Sequence, residues 1–220
     1  MGVYELQETK TLDGLVLNDK KYEVKFEQKD LTTKVYEEKK DITNDTTIFE
    51  FSKKSVTGDD ELEGAELTVV DKDGKVIDSW VSGKNTHKIE GLKVGETYTL
   101  KEEFAPDGYV ISSNIQFKVE NTNEIQKVTM IDKIIEISKQ DIAGNELEGA
   151  TLVVTNTRTK NIVDKWVSTN EAHKVSGLIE GETYNLHEEI VIEGYVKATD
   201  IQFTVSEDKE TQKVVMVDKI

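Results

Sequence analysis

The sequence predicts an all-β fold built from tandem β-sandwich domains, and three observations support this prediction. Short alternating runs rich in Val, Ile and Thr are separated by turn signals such as "KDGK" and "APDG", as expected for strands joined by hairpins and loops. No window keeps the apolar spacing of i, i+3 and i+4 that an amphipathic helix needs. Long stretches also recur at a fixed offset, which indicates that a whole small domain has been copied.

This internal similarity divides the chain into three parts. "GLKVGETYTLKEEFAPDGYV" recurs as "GLIEGETYNLHEEIVIEGYV", and Lys53 recurs as Lys139, 86 positions later. We therefore predict a complete second copy at residues 47–133 and a complete third copy at residues 134–220, each a sandwich of about seven strands. Residues 1–46 match only the later part of a copy, so we expect this first copy to be an incomplete domain.

Composition excludes several functional classes. The 220 residues carry a formal net charge of −16, which disfavours nucleic acid and anionic membranes as partners. The chain has no cysteine, which excludes disulfides, Cys–Zn sites and thiol catalysis. No apolar run has the length of a membrane span, and "MGVYELQETK" lacks the basic start and apolar core of a secretory signal. No nucleotide-binding or hydrolase motif occurs, so we expect neither a turnover enzyme nor a cofactor.

Each complete copy has three ionisable residues in phase with core-facing strand positions. Residues two apart share one face of a strand, so Lys53 in "IFEFSKK" should point the same way as the two phenylalanines before it. Glu102 in "YTLKEE" and Asp132 in "VTMIDK" are also in phase with apolar neighbours. The corresponding residues of the third copy are Lys139, Glu188 and Asp218.

A lone buried charge is prohibitively unfavourable, so these groups must pair or become neutral. One interpretation is a buried ion cluster. The other is chemical, because desolvation lowers the pKa of a lysine, raises that of a carboxylic acid, and leaves a nucleophilic neutral amine. Folding would hold the amine against the Asp carboxyl while the Glu moves the proton, and an amide would form with loss of water. The residue pattern alone leaves both interpretations open.

"FSKK", "ELEGAEL", "YTLKEEFAPDGY" and "VTMIDK" resemble the Cna B-type domains of Gram-positive surface adhesins and pilins. The resemblance implies an immunoglobulin- or prealbumin-like sandwich in which lysine and aspartate form an autocatalytic isopeptide bond assisted by glutamate. The implied cross-links are Lys53–Asp132 and Lys139–Asp218, and the implied catalytic residues are Glu102 and Glu188. In the first copy Glu8 and Asn44 match the family pattern as unpaired equivalents. The lysine is missing there, so no bond is expected.

The resemblance also implies a function. We expect a structural stalk or spacer segment of a Gram-positive cell-surface adhesin or pilus-like protein, extracellular and wall-anchored, although no anchor or signal lies within these residues. The alternative is a ligand-binding adhesin module that contacts host matrix or cell-surface molecules. Near-identical copies favour the spacer, whereas an exposed patch on one copy alone would favour binding. The expected partners are neighbouring repeat domains, with host proteins bound by other parts of a longer chain.

The remaining functional residue types have plainer interpretations. A metal site needs several convergent ligands, so we expect His87, His173 and His187 to be exposed turn residues, with no metal bound. Trp80 and Trp166 recur within predicted strands, which favours core or sheet packing over a carbohydrate platform. "TGDDELE" lacks the ligand spacing of a calcium loop and is predicted to be a solvated hairpin.

Overall fold

A computed structural model describes residues 2–27, 32, 37–208 and 210–220. Throughout these residues the secondary structure consists of strands, turns and irregular segments, without any helix. The predicted all-β class is therefore confirmed. No helix in the described part of the chain could cross a membrane.

The first copy contributes two antiparallel strands, β1 (Gly2–Gln7) and β2 (Lys21–Phe26). No other described strand pairs with this two-stranded sheet. An isolated two-stranded sheet has no facing layer to bury its apolar residues, and Tyr4 accordingly remains 58% exposed. An isolated bridge between Leu15 and Thr46 joins the loop after β1 to the residue just before the second copy.

The second copy is a sandwich of two sheets. Its strands are β3 (Ile48–Ser55), β4 (Gly58–Glu61), β5 (Glu66–Val70), β6 (Val76–Val81), β7 (His87–Glu90), β8 (Thr97–Phe104), β9 (Ile115–Lys118) and β10 (Ile125–Asp132). One sheet has the order β6-β5-β8-β9, and in the other β3 lies between β10 on one side and β4 and β7 on the other. The short β4, which forms a hairpin with β3 at the predicted acidic turn, brings the number to eight rather than about seven.

The third copy repeats this architecture without the short extra strand. Its strands are β11 (Ile135–Gln140), β12 (Thr151–Asn156), β13 (Ile162–Val167), β14 (His173–Lys174), β15 (Thr183–Ile190), β16 (Ile201–Thr204) and β17 (Gln212–Val217). One sheet has the order β14-β11-β17 and the other β13-β12-β15-β16. In both complete copies the first and last strands are adjacent and parallel. The strands by which the chain enters and leaves each copy therefore belong to the same sheet.

Each complete copy encloses its own apolar core between the two sheets. The second copy packs Phe49, Phe51, Leu67, Leu100 and Met130 at its centre, each at most 2% exposed. Phe49 and Phe51 lie two residues apart on one strand and therefore face the same side, because alternate side chains of a strand point to opposite faces.

The junction between the second and third copies is also packed. Val110, in the loop between β8 and β9, is 1% exposed and belongs to the core cluster of the third copy. Two main-chain hydrogen bonds cross the junction: Ile111 N donates to Leu178 O over 2.8 Å, and Glu180 N donates to Ile111 O over 3.1 Å. The second copy thus contributes a side chain to the interior of its neighbour.

Two histidines differ from their predicted setting. His87 and His173 begin β7 and β14, are half-buried, and stack on Trp80 and Trp166 with ring centroids 4.1 and 4.2 Å apart. The prediction of exposed turn positions is therefore wrong for both, because the indole face gives each imidazole a packing partner. His187 is exposed on β15, where its Nδ1 lies 2.7 Å from Asp200 Oδ1. No group of residues suited to hold a metal ion occurs in the described ranges.

Candidate functional site

The strand period brings a lysine, a glutamate and an aspartate together inside the second copy. Lys53 lies near the end of β3 and Asp132 ends β10, so these two side chains come from adjacent strands of one sheet. Glu102 lies on β8 in the facing sheet. Their exposed fractions are 2%, 0% and 6%, so the site lies within the sandwich and away from solvent.

Direct contacts join the three groups. Lys53 Nζ contacts Asp132 Oδ1 and lies 2.8 Å from Glu102 Oε1. Phe51, two residues earlier on the same face of β3, and Met130, opposite Lys53 in the register, are each at most 2% exposed. The amine therefore faces two acidic side chains in otherwise apolar surroundings.

The third copy has the same arrangement. Lys139 Nζ contacts Asp218 Oδ1 and lies 2.9 Å from Glu188 Oε1, and all three side chains have a relative exposed area of at most 1%. Every site residue predicted for the two complete copies therefore lies in one of two buried clusters with matching contacts.

Glutamates at or beside the next turn anchor the main chain of both lysines. Lys53 N donates to Glu61 Oε2 over 2.8 Å, and Lys139 N donates to Glu146 Oε2 over 3.2 Å. These bonds tie each lysine to the hairpin that follows its strand, which restricts the position from which the side chain enters the core.

Two carboxylate oxygens in each cluster lack a hydrogen-bond partner. In the second copy these atoms are Glu102 Oε1 and Asp132 Oδ2, and in the third copy they are Glu188 Oε1 and Asp218 Oδ2. Glu102 Oε1 is close to Lys53 Nζ but is not aligned with it as a hydrogen bond. A buried oxygen without a partner is costly, whereas one proton shared between the two carboxyls would satisfy both oxygens.

Burial favours such a shared proton. It raises the pKa of Glu102 from 4.5 to about 7, against the opposing charge of Lys53 and with a further increase from the Asp132 carboxylate. In the third copy burial raises the pKa of Asp218, where Lys139 opposes the shift and the neighbouring Glu188 carboxyl adds to it. Each pair of interacting carboxyls therefore retains a proton to a higher pH than an isolated acid would.

In the first copy, Glu8 and Asn44 are also in contact, but Glu8 is held in its ionised form. Asn44 Nδ2 donates to Glu8 Oε2 over 2.6 Å, and the main-chain amide of Asn18 donates to the same oxygen over 2.9 Å. These hydrogen bonds lower the pKa of Glu8. Glu8 is therefore ionised at neutral pH, and this pair lacks both a lysine and an acidic proton.

The main-chain contact of Glu8 has counterparts in the complete copies. Ser112 N donates to Glu102 Oε2 over 2.7 Å, and Ala198 N donates to Glu188 Oε2 over 2.8 Å. In each of the three copies the donor lies ten residues after the glutamate. A main-chain amide at the same position of the loop therefore orients Oε2 of Glu8, Glu102 and Glu188.

Ser112 was not predicted from the sequence. Its hydroxyl donates either to Asp132 Oδ1 at 2.8 Å or to the main-chain oxygen of Ile131 at 3.0 Å. The available signal was the alignment of the two copies, which places Ala198 at the corresponding position beside otherwise matching reactive residues.

Comparison with known proteins identifies the family. The SpaA prealbumin-like fold domain family matches residues 47–134 and again residues 133–220. The chain belongs to this family. Its second and third copies are tandem SpaA prealbumin-like domains, and the resemblance to Cna B-type repeats is confirmed at this level.

Solved structures similar to this SpaA-family chain include the following bacterial proteins. The Bacillus anthracis TIE protein is 26% identical, with a TM-score of 0.43, and the match covers 100% of this chain but only 42% of TIE. A Streptococcal ancillary pilin is 17% identical over 98% of this chain and 75% of its own, with a TM-score of 0.39. The shaft pilin SpaA of Lactobacillus rhamnosus GG is 12% identical over 79% and 97%, with a TM-score of 0.33. No match was found among curated proteins.

Proposed function

We propose that this chain is a load-bearing spacer segment of a Gram-positive cell-surface adhesin or pilus-like protein. An isopeptide bond between lysine and aspartate side chains stiffens each of its two SpaA-family domains. The observation that carries the proposal is the contact of Lys53 Nζ with the Asp132 carboxyl, beside Glu102, in a buried pocket that the third copy repeats.

The bond forms by condensation of an amine with a carboxylic acid. The carboxyl pair already retains one proton and receives a second from the Lys53 ammonium, which leaves a neutral amine beside two neutral carboxyls. Nζ attacks Cγ of Asp132, while Glu102 donates its proton to the departing hydroxyl and takes one from Nζ. One C–N bond forms, one C–O bond breaks, and one water leaves. The dry core favours the amide, because hydrolysis would require that water to return.

Strand topology gives the bond a mechanical role. The two reactive residues are 79 positions apart in sequence but lie on the parallel, adjacent first and last strands. Tension that enters along β3 and leaves along β10 would pass from Lys53 to Asp132 through the amide. The intervening strands would then bear none of it.

Packing at the junction supports a spacer built from successive domains. Val110 and the main-chain bonds of Ile111 hold the second copy against the third, so force is passed between packed units rather than through a loose linker. The natural partners of such a segment are neighbouring repeat domains. Membership in the SpaA family supports an extracellular, wall-anchored setting in which other parts of a longer protein contact the host.

Intact mass of the purified chain tests this proposal. We expect the mass of the unmodified sequence minus two waters, one for each complete copy, with none lost from the first copy. Glu102→Ala and Glu188→Ala should each restore one water. A chain with the full unmodified mass would contradict the cross-links. Binding of a host matrix protein to this segment by itself would instead favour the adhesin-module alternative.

A further inference from the structure

We propose that the Ser112 hydroxyl is a catalytic oxyanion donor for amide formation in the second copy. It would stabilise the negative charge that develops on Asp132 Oδ1 when Lys53 attacks. This inference rests on the proposed isopeptide chemistry and adds to it a residue that the third copy lacks.

Ser112 is held at the site by bonds that do not involve the reaction itself. Its main-chain amide donates to Glu102 Oε2 over 2.7 Å, and its hydroxyl lies 3.0 Å from the main-chain oxygen of Ile131. The same hydroxyl lies 2.8 Å from Asp132 Oδ1, the oxygen that Lys53 Nζ contacts. The donor is therefore already in place before the reaction begins.

The hydroxyl has one proton and two acceptors, and the reaction changes their relative strength. Attack of Nζ on Cγ opens the C=O bond and places negative charge on Oδ1, whereas the Ile131 carbonyl remains neutral. The proton of Ser112 then bonds more strongly to Oδ1. An interaction that is stronger in the transition state than in the ground state accelerates the chemical step.

The atoms balance with the two oxygens of Asp132 in separate roles. Oδ1 accepts the hydrogen bond from Ser112 and becomes the carbonyl oxygen of the amide. Oδ2 receives a proton through Glu102 and leaves as water, which agrees with its lack of any other hydrogen-bond partner. Ser112 gains and loses no atom, so it acts only through its hydrogen bond.

The third copy provides an internal comparison. Ala198 donates its main-chain amide to Glu188 Oε2 over 2.8 Å, as Ser112 does to Glu102, but has no hydroxyl. The carboxyls of the two copies are therefore positioned alike, and only the second copy has the additional donor. We infer that the second copy closes its bond faster than the third.

Time-resolved mass spectrometry of the full chain can test this inference. Cell-free synthesis is stopped, samples are quenched in acid at intervals, and cross-linked peptides containing Lys53 or Lys139 are quantified separately. Ser112→Ala should slow bond formation in the second copy by about 100-fold, the lower end of the range for loss of one oxyanion donor. The rate in the third copy should remain unchanged. Because Ala198 occupies the corresponding position, we expect this variant to fold.

Two further variants separate catalysis from structural support. Ser112→Thr, which keeps a hydroxyl, should restore most of the rate, and Ala198→Ser should accelerate bond formation in the third copy. A merely structural serine would not produce this gain. If the wild-type chain forms both bonds but Ser112→Ala and Ala198→Ser leave the rates unchanged, the oxyanion role is wrong. If the wild-type chain forms no bond, the isopeptide proposal itself fails.

Discussion

Lys133 Nζ donates a hydrogen bond of 2.6 Å to the main-chain oxygen of Ser206, so the last residue of the second copy is anchored in the third. The same ammonium contacts Glu180, whose other carboxylate oxygen accepts a hydrogen bond of 2.9 Å from Ser113 N. Lys133 is 5% exposed. A buried cation with two partners in the neighbouring domain fixes how the two copies meet.

We expect Lys133→Met to loosen this junction. The change retains much of the hydrocarbon chain but removes both polar contacts, and loss of one partner from a largely buried pair should cost about 2 kcal/mol. Amide ¹⁵N relaxation should then show the two copies tumbling more independently. Lys165→Met is the matched control, because Lys165 forms an exposed pair with Glu189 and should change stability by less than about 1 kcal/mol. Equal effects of the two variants would contradict an anchoring role.

Val110→Ala should destabilise the third copy even though the residue belongs to the second. The substitution opens a cavity in the core of the third copy, at an expected cost of about 2 kcal/mol. Denaturant unfolding followed by Trp166 fluorescence in a Trp80→Phe background measures the effect. Val196 is the matching residue of the third copy but is 62% exposed, so Val196→Ala should stay within about 0.5 kcal/mol. If Val110→Ala leaves the stability of the third copy unchanged, the junction is not packed in solution.

Bond formation in the second copy should be fastest below neutral pH. The reaction needs the carboxyl pair to retain a proton, and burial raises the pKa of Glu102 to about 7. Deprotonation above that value leaves no acid to protonate the departing hydroxyl, so the rate should fall about tenfold per pH unit there and level off below it. Quenched mass spectrometry across pH 5 to 9, the approximate range in which such a group titrates, measures the profile. A rate that rises with pH would instead identify lysine deprotonation as the limiting step.

The amide should make a large contribution to equilibrium stability. Closing the loop between Lys53 and Asp132 should stabilise the second copy by about 4 kcal/mol on the chain-entropy account used for cross-links. Glu102→Gln is the test variant, because it preserves side-chain shape but removes the acid. Denaturant unfolding should show the loss of stability together with one regained water. Glu103→Gln, at an exposed neighbouring position, should change neither quantity.

Much of the fold and of the site follows from short-range periodicity. The alternation in "IFEFSKK" and "YTLKEE" orients Lys53 and Glu102 inward, and repetition in the third copy shows that the pattern is systematic. Ser112 was not predicted because it lies in an irregular segment, where no period indicates the direction of a side chain. Lys133 was missed because Glu180 and Ser206 lie 47 and 73 positions away. Contacts at that distance depend on how two domains meet.

The parallel pairing of β3 with β10 has a further consequence for a protein exposed to proteases. With the amide in place, the covalent path through the second copy runs from β3 through the Lys53 side chain directly to Asp132. A single cut in a loop such as residues 82–86 would then leave the two sides of the chain joined through the amide. Between the two cross-linked copies, only cleavage in the short segment around Lys133 and Ile134 would separate them, and both residues are at most 5% exposed. The peptide bonds that join the two cross-linked copies are therefore buried, whereas a cut in an exposed loop within either copy would not separate them.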